Sequence, residues 1–92
     1  MIRCVVEMFG LPREISDLDE VEVELKEASP GDVIAALRRK IPVLEGPVIR
    51  PREDRLVDYC AFNINGCFYF DDRKLQLQSG DRIALLTLAT GG

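Results

Sequence analysis

Apolar and polar residues alternate over the first nine positions, with Ile2, Cys4, Val6 and Met8 on one face. That period of two predicts a half-buried strand. The pattern returns more cleanly at 20–26, where Val21, Val23 and Leu25 face one way and Glu20, Glu22, Glu24 and Lys26 the other. The link between them, Gly10 to Asp19, suits an antiparallel hairpin with a long loop. The run of glutamates then reads as a solvated outer face.

The period changes at Ser29-Pro30-Gly31-Asp32. Ser29 can cap a helix, Pro30 sits in the first turn where a missing N–H costs nothing, and Asp32 holds the capping-box position. Val33, Ile34, Leu37 and Ile41 recur at helical spacing, which gives the helix one apolar stripe. Arg38, Arg39 and Lys40 fall in the last turn, where cations complement the helix dipole, and Pro42 ends the helix. An acid-binding role for this basic triplet competes with that electrostatic one. Residues 43–57, with Gly46, Pro47, Pro51 and several charges, predict an irregular connection with room for a short helical turn.

Tyr59 to Ile64 reads as a third strand, and Asn65-Gly66 as the tight turn of a hairpin, because both central residues of that turn need positive φ. The returning strand, Cys67 to Phe70, then pairs Ile64 with Cys67 and Phe62 with Tyr69. That register sets Cys60 opposite Asp71 and disfavours a Cys60–Cys67 disulfide. Leu75 and Leu77 are expected to cover an edge, and Ser79-Gly80-Asp81 to turn the chain into a last apolar strand, Arg82 to Leu86. The chain then runs on to Gly91-Gly92. Terminal glycines bury nothing and lie where chain ends fray; they suit a slim rod carrying a free carboxylate. Residues 1–87 are therefore expected to form the domain and 88–92 a flexible tail.

Strand, strand, helix, strand, short strand, strand is an α+β order. One helix must pack across a mixed sheet of about five strands to bury both apolar faces, with the first and last strands central. That arrangement is the β-grasp, or ubiquitin-like, fold.

Composition narrows the chemistry. Ninety-two residues with 47% hydrophobic and 30% charged content fit a single soluble domain with a modest core. A net charge of −4 argues against a nucleic-acid partner, which favours a basic stripe. No apolar run approaches the length of a membrane span, and the N-terminus lacks a signal peptide's apolar block, so a cytoplasmic location is expected. The chain has no histidine and three cysteines, Cys4, Cys60 and Cys67, all within apolar strand patterns. The commonest general base and metal ligand is thus missing, and an odd cysteine count disfavours a disulfide framework. No metal site and no bound cofactor are expected, and the chain is not expected to be an enzyme.

Over essentially its whole length the sequence resembles the ThiS/MoaD family of small sulfur-carrier proteins. The resemblance is carried by Phe9-Gly10-Leu11-Pro12-Arg13-Glu14, Val21-Glu22-Val23-Glu24-Leu25, Pro30-Gly31-Asp32-Val33-Ile34-Ala35-Ala36-Leu37 and Asn63-Ile64-Asn65-Gly66. It continues through Ser79-Gly80-Asp81-Arg82-Ile83-Ala84-Leu85-Leu86 to the terminal Gly91-Gly92. It implies that a separate adenylating enzyme of the ubiquitin-activating type uses ATP to form an acyl-adenylate on Gly92. Sulfur from a donor such as a desulfurase or rhodanese then displaces AMP. The resulting thiocarboxylate donates sulfur, in a complex with an acceptor synthase subunit, to a cofactor precursor. Gly92 is the reacting residue, and Thr90 and Gly91 thread the partner's channel.

The acceptor stays open. Where molybdopterin-synthase small subunits typically carry Phe-Phe-Pro-Pro, this chain has Leu85-Leu86-Thr87-Leu88, which looks more like thiazole-synthesis carriers or ubiquitin-related modifiers. The length, the 43–57 segment and the early Phe9 to Glu14 stretch favour the molybdopterin-type members, including those that serve cysteine synthesis. A protein modifier or a tRNA-thiolation donor would use the same activated Gly92, and a non-covalent interaction domain would not use it.

The strand pattern also predicts a docking surface. With Phe62, Ile64, Ile83 and Leu85 facing the core, Phe68, Phe70 and Leu86 fall on the outer face of the sheet. If the last two strands are neighbours, Phe68 and Leu86 lie together beside the tail, as an exposed apolar patch for the adenylating enzyme.

Overall fold

The computed structural model describes residues 1–27, 29–64, 66–69 and 77–88, with only the backbone for 67–69. The alternation at the N-terminus forms β1 (Ile2–Met8), with Cys4, Val6 and Met8 buried. It pairs antiparallel with β2 (Glu20–Leu25), Val6 opposite Val21 and Cys4 opposite Val23. The link is not a plain loop: Leu11–Ser16 form a short helix, α1, which ends at Asp17 in the left-handed conformation.

The main helix, α2 (Pro30–Lys40), starts as its sequence requires: the Asp32 N–H donates to Ser29 Oγ at 3.2 Å. The reciprocal half of a capping box is replaced. Asp32 Oδ2 accepts from the Glu27 N–H at 2.7 Å, which ties the end of β2 to the helix start. Val33, Ile34 and Leu37 are fully buried and Ile41 nearly so. A 3-10 turn, Pro42–Leu44, follows.

The 42–58 segment is more ordered than its composition suggests. Leu44, Val48, Ile49 and Leu56 are buried in the same cluster as the helix stripe and the sheet. Arg38 holds the segment from the helix side, donating to Glu45 Oε2 at 3.0 Å, Asp54 Oδ1 at 2.7 Å, and the carbonyls of Arg50 and Glu53. The basic last turn of α2 thus has a tertiary use beyond the dipole.

The hairpin of β3 (Cys60–Ile64) and β4 (Cys67–Tyr69) has the expected register, Ile64 opposite Cys67 and Phe62 opposite Tyr69, with Gly66 at φ 86°. The expected Cys60–Asp71 apposition, Leu75 and Phe70 lie outside the described residues; Leu77 is buried. The last strand, β5 (Arg82–Thr87), is central: among the described residues the sheet has five strands in the order β2-β1-β5-β3-β4. It runs parallel to β1 and antiparallel to β3. This is the β-grasp fold, with Ile83 and Leu85 facing α2 and fully buried.

One expectation is overturned by that order. β4 and β5 are not neighbours, because β3 lies between them. Phe68 pairs with Asn63, and Asn63 in turn with Ala84, whereas Leu86 is two residues further along, opposite Ala61. Two inter-strand spacings, about 9–10 Å, separate β4 from β5, so Phe68 and Leu86 do not form one contiguous pair.

Candidate functional site

The candidate site is the C-terminal end of β5 and the chain that leaves it. β5 is held on both sides. The Phe9 N–H donates to the Leu85 carbonyl at 2.9 Å and the Val5 N–H to the Asp81 carbonyl at 3.0 Å, from β1. On the β3 side the pairing runs through Cys60–Thr87, and the Leu88 N–H still donates to the Tyr59 carbonyl at 2.8 Å. Tyr59 is itself fixed, its hydroxyl donating to the Pro47 carbonyl at 2.7 Å.

A third restraint comes from α1. Its N-cap, Gly10, offers no side-chain acceptor, and the hydroxyl of Thr87 takes that place: the Leu11 N–H donates to Thr87 Oγ1 at 2.9 Å. Gly10 has φ +61°, and a Cβ there would lie 2.7 Å from Thr87 Oγ1. Positive φ and close approach both require glycine at this point. The Phe9-Gly10-Leu11-Pro12 stretch is therefore a local device that brings a helix start against the last residue of β5. Sequence reasoning placed these residues in a family pattern without finding this role. The Gly-Leu-Pro order, with proline in a first turn, was the available signal.

Gly92, Gly91 and Thr90, the expected reacting and threading residues, lie outside the described residues, as does Phe70. The structure places the point from which they depart. Among the expected docking residues, Leu86 is half-buried on the outer face and Phe68 is located only by its backbone pairing. Ala61, in the same row as Leu86, is fully buried.

Charged pairs cross much of the rest of the outer face, around the half-buried Val5. Arg82 donates to Glu7 Oε1 at 3.2 Å and to Glu20 Oε2 at 2.6 Å, and Arg3 lies 3.0 Å from Glu24 and 3.9 Å from Glu22. These ladders cross β5, β1 and β2 and leave the half-buried Ala84 and Leu86 as the less polar end, toward the tail.

The two described thiols do not form a reactive centre. Cys4 and Cys60 are buried and unbridged. Burial pushes the Cys60 thiol up to about 11; it also raises that of Cys4, with the Asp81 charge adding to the effect. Both are thus protonated near neutrality and poor nucleophiles. Among the described residues no group of three or more His, Cys, Asp or Glu side chains could hold a metal, and no helix is long and apolar enough to cross a membrane.

No curated protein sequence matches this chain significantly. Solved structures do. Small archaeal modifier protein 1 (SAMP1) of Haloferax volcanii superposes with a TM-score of 0.76 at 26% identity, over 98% of this chain and 99% of that one. The SAMP1 structure from Methanosarcina acetivorans gives 0.74 at 24% identity, over 100% and 98%. A protein described as molybdopterin converting factor subunit 1 of Pyrococcus furiosus gives 0.70 at 19%, over 97% and 100%. The last two likenesses speak to fold alone. The model of the ThiS family matches residues 6–92, from within β1 to the terminal glycine, and the chain belongs to that family.

Proposed function

We propose that this protein is a sulfur carrier whose reacting atom is the carbonyl carbon of Gly92. The observation that carries the reading is where β5 ends. A central strand, restrained by β1, β3 and α1, ends at Thr87 and Leu88, and the sequence beyond ends in Gly91-Gly92. Extended, residues 89–92 would reach about 14 Å past Leu88. That suits a carboxylate delivered into a narrow channel of a partner.

The chemistry follows from what a carboxylate lacks. It is a poor electrophile until one oxygen joins a good leaving group. In the proposed sequence a Gly92 oxygen attacks the α-phosphorus of ATP in an adenylating enzyme, pyrophosphate leaves, and an acyl-adenylate forms. The terminal sulfur of a persulfide on a desulfurase- or rhodanese-type donor then attacks the acyl carbon, AMP departs, and a thiol cleaves the resulting acyl disulfide, freeing the thiocarboxylate and leaving a disulfide. The thiocarboxylate passes its sulfur to a precursor bound by an acceptor synthase subunit, with a molybdopterin-type acceptor favoured over thiazole or cysteine synthesis. The carrier supplies the reacting carbon and the grip. The partners supply catalysis, and no cofactor is held by this chain. The outer face at Leu86, with Phe68 further across the sheet, would dock the adenylating enzyme, and a cytoplasmic setting gives access to ATP.

A second reading has its own support. The likeness to SAMP1 at 26% identity favours a protein modifier, in which the same activated Gly92 would be attacked by a lysine amine of a target. ATP–pyrophosphate exchange with the adenylating enzyme from the same genome tests activation, which both readings need. Exchange should be stimulated by the full chain and abolished by deleting Gly92. Sulfide and lysine acceptors then separate the two outcomes.

A further inference from the structure

The end of β5 is held differently from the rest of the strand. β1 pairs with it as far as Met8 opposite Leu85, and the Phe9 N–H donates to the Leu85 carbonyl. The chain then turns at Gly10 into α1, so the last residues of β5 have no strand beside them on that side. On the other side β3 continues to pair, through Cys60 opposite Thr87 and the Leu88 N–H on the Tyr59 carbonyl. Among the described residues, one hydrogen bond ties Leu86, Thr87 or Leu88 to the β1 side. It is the Leu11 N–H donating to Thr87 Oγ1.

The helix itself does not need its acceptor from so far away. An N-cap acceptor normally comes from the residue just before the first turn, a Ser, Thr, Asp or Asn in extended conformation, as Ser29 does for α2. At α1 that position is Gly10, at φ +61° and with no side chain to offer. The acceptor stands instead 76 positions along the chain from its donor, on the strand that leads to the tail. A local cap would serve α1 equally well and leave the end of β5 tied on one side only.

We propose that Thr87 is a positioning residue for the activation of Gly92: its hydroxyl, tied to α1, holds the root of the tail, so that the tail enters the adenylating enzyme from a fixed point. The role rests on the reading of Gly92 as the adenylated residue. Four residues lie beyond Leu88, so a partner that closes on Gly92 comes close to Thr87 as well. Over so short a tether a swing at the root is carried to the carboxylate: a turn of about 20° moves a point about 14 Å away by about 5 Å. Freedom at the root is lost when the tail is bound, and restricting it beforehand lowers that cost. The restraint therefore acts on association with the enzyme. Acyl transfer, carried out by the partner's groups, is left as it was. A cap that served the fold alone would change stability and leave association untouched.

The test follows ATP–pyrophosphate exchange by the adenylating enzyme from the same genome, with the full chain as the varied substrate and well below every Tm. Thr87→Val should raise the KM for the chain at least about fivefold with little change in kcat. Thr87→Ser, which keeps the acceptor, should restore it. Ser29→Ala removes the cap of α2, at the opposite end of β1, and should leave the KM alone although it also costs stability. In the free chain, labelled with nitrogen-15, the Leu88 amide should exchange with solvent faster in Thr87→Val than in wild type, and Thr87→Ser should slow it again. An unchanged KM in Thr87→Val, an equal rise in Ser29→Ala, no rescue by Thr87→Ser, or an unchanged Leu88 amide would each overturn the proposal. A wild-type chain that stimulates no exchange would overturn the reading of Gly92, and this proposal with it.

Discussion

The Thr87 hydroxyl accepts a hydrogen bond from the Leu11 N–H at 2.9 Å, joining the last residue of β5 to the first turn of α1. The bond gives a capless helix its cap and ties the end of β5 to it. Thr87→Val keeps the shape and removes the acceptor. It should cost about 1 kcal/mol in urea denaturation, the usual loss when a partly buried donor is left without its partner.

Gly10 is the other half of that junction. Gly10→Ala faces positive φ and the 2.7 Å approach to Thr87 Oγ1, and should cost about 1–3 kcal/mol. The two effects can be separated by a double-mutant cycle. In a Thr87→Ala background the collision is relieved and only the backbone strain persists, so Gly10→Ala should be less costly there. Equal costs in both backgrounds would show that the approach carries no energy.

Most of the architecture is legible in the sequence because it is written in local periods. The alternation at Ile2 to Met8 and Val21 to Leu25, the Ser29-Pro30 helix start, and the Asn65-Gly66 turn each specify an element without reference to the rest of the chain. What escapes that reading depends on contacts between distant residues. α1 is too short to show a helical period and is capped by Thr87. The 42–58 segment is irregular, yet Arg38 and four buried side chains hold it to the core. Strand order is likewise non-local, and a hairpin signal fixes β3 beside β4 without saying which of them meets β5. That is why Phe68 and Leu86 were expected side by side and are two strands apart. At the site, Gly91-Gly92 is read from the sequence, whereas the junction at the end of β5 becomes visible only in three dimensions.

Arg38 clamps the 42–58 segment with a planar fork of donors, which a lysine cannot reproduce. Arg38→Ala should cost about 1–3 kcal/mol, given hydrogen bonds to charged groups discounted for partial exposure. Arg38→Lys should restore little of it. Amide hydrogen exchange should rise first in residues 44–57, ahead of β1 and β5.

The buried thiol of Cys60 gives a pH dependence with a definite sign. Burial holds it up to about 11, so at alkaline pH the unfolded chain ionises this thiol before the folded protein does. The folded state then binds more protons, and stability falls as pH rises from the ordinary thiol range to about 11. Cys60→Ala should lose roughly 1 kcal/mol or more at neutral pH and show a shallower alkaline decline. It should load sulfur normally; normal folding with failed loading would assign Cys60 a relay role.

Leu86 tests the docking surface. Leu86→Ala should weaken binding to the adenylating enzyme at least tenfold, about 1.4 kcal/mol, with a Tm close to wild type. Strong destabilisation with unchanged affinity would mean that the half-buried side chain serves the fold alone.

The tail is the central claim, and intact-mass spectrometry reads it directly. The full chain is incubated with its adenylating enzyme, ATP and a sulfide source, beside a Gly91→Val variant. The wild-type chain should become heavier by the difference between one sulfur and one oxygen, and fragmentation should place the change on Gly92. The variant should keep its original mass. An unaltered wild-type mass under conditions where the enzyme consumes ATP, or full sulfur loading of the Gly91→Val chain, would contradict the account.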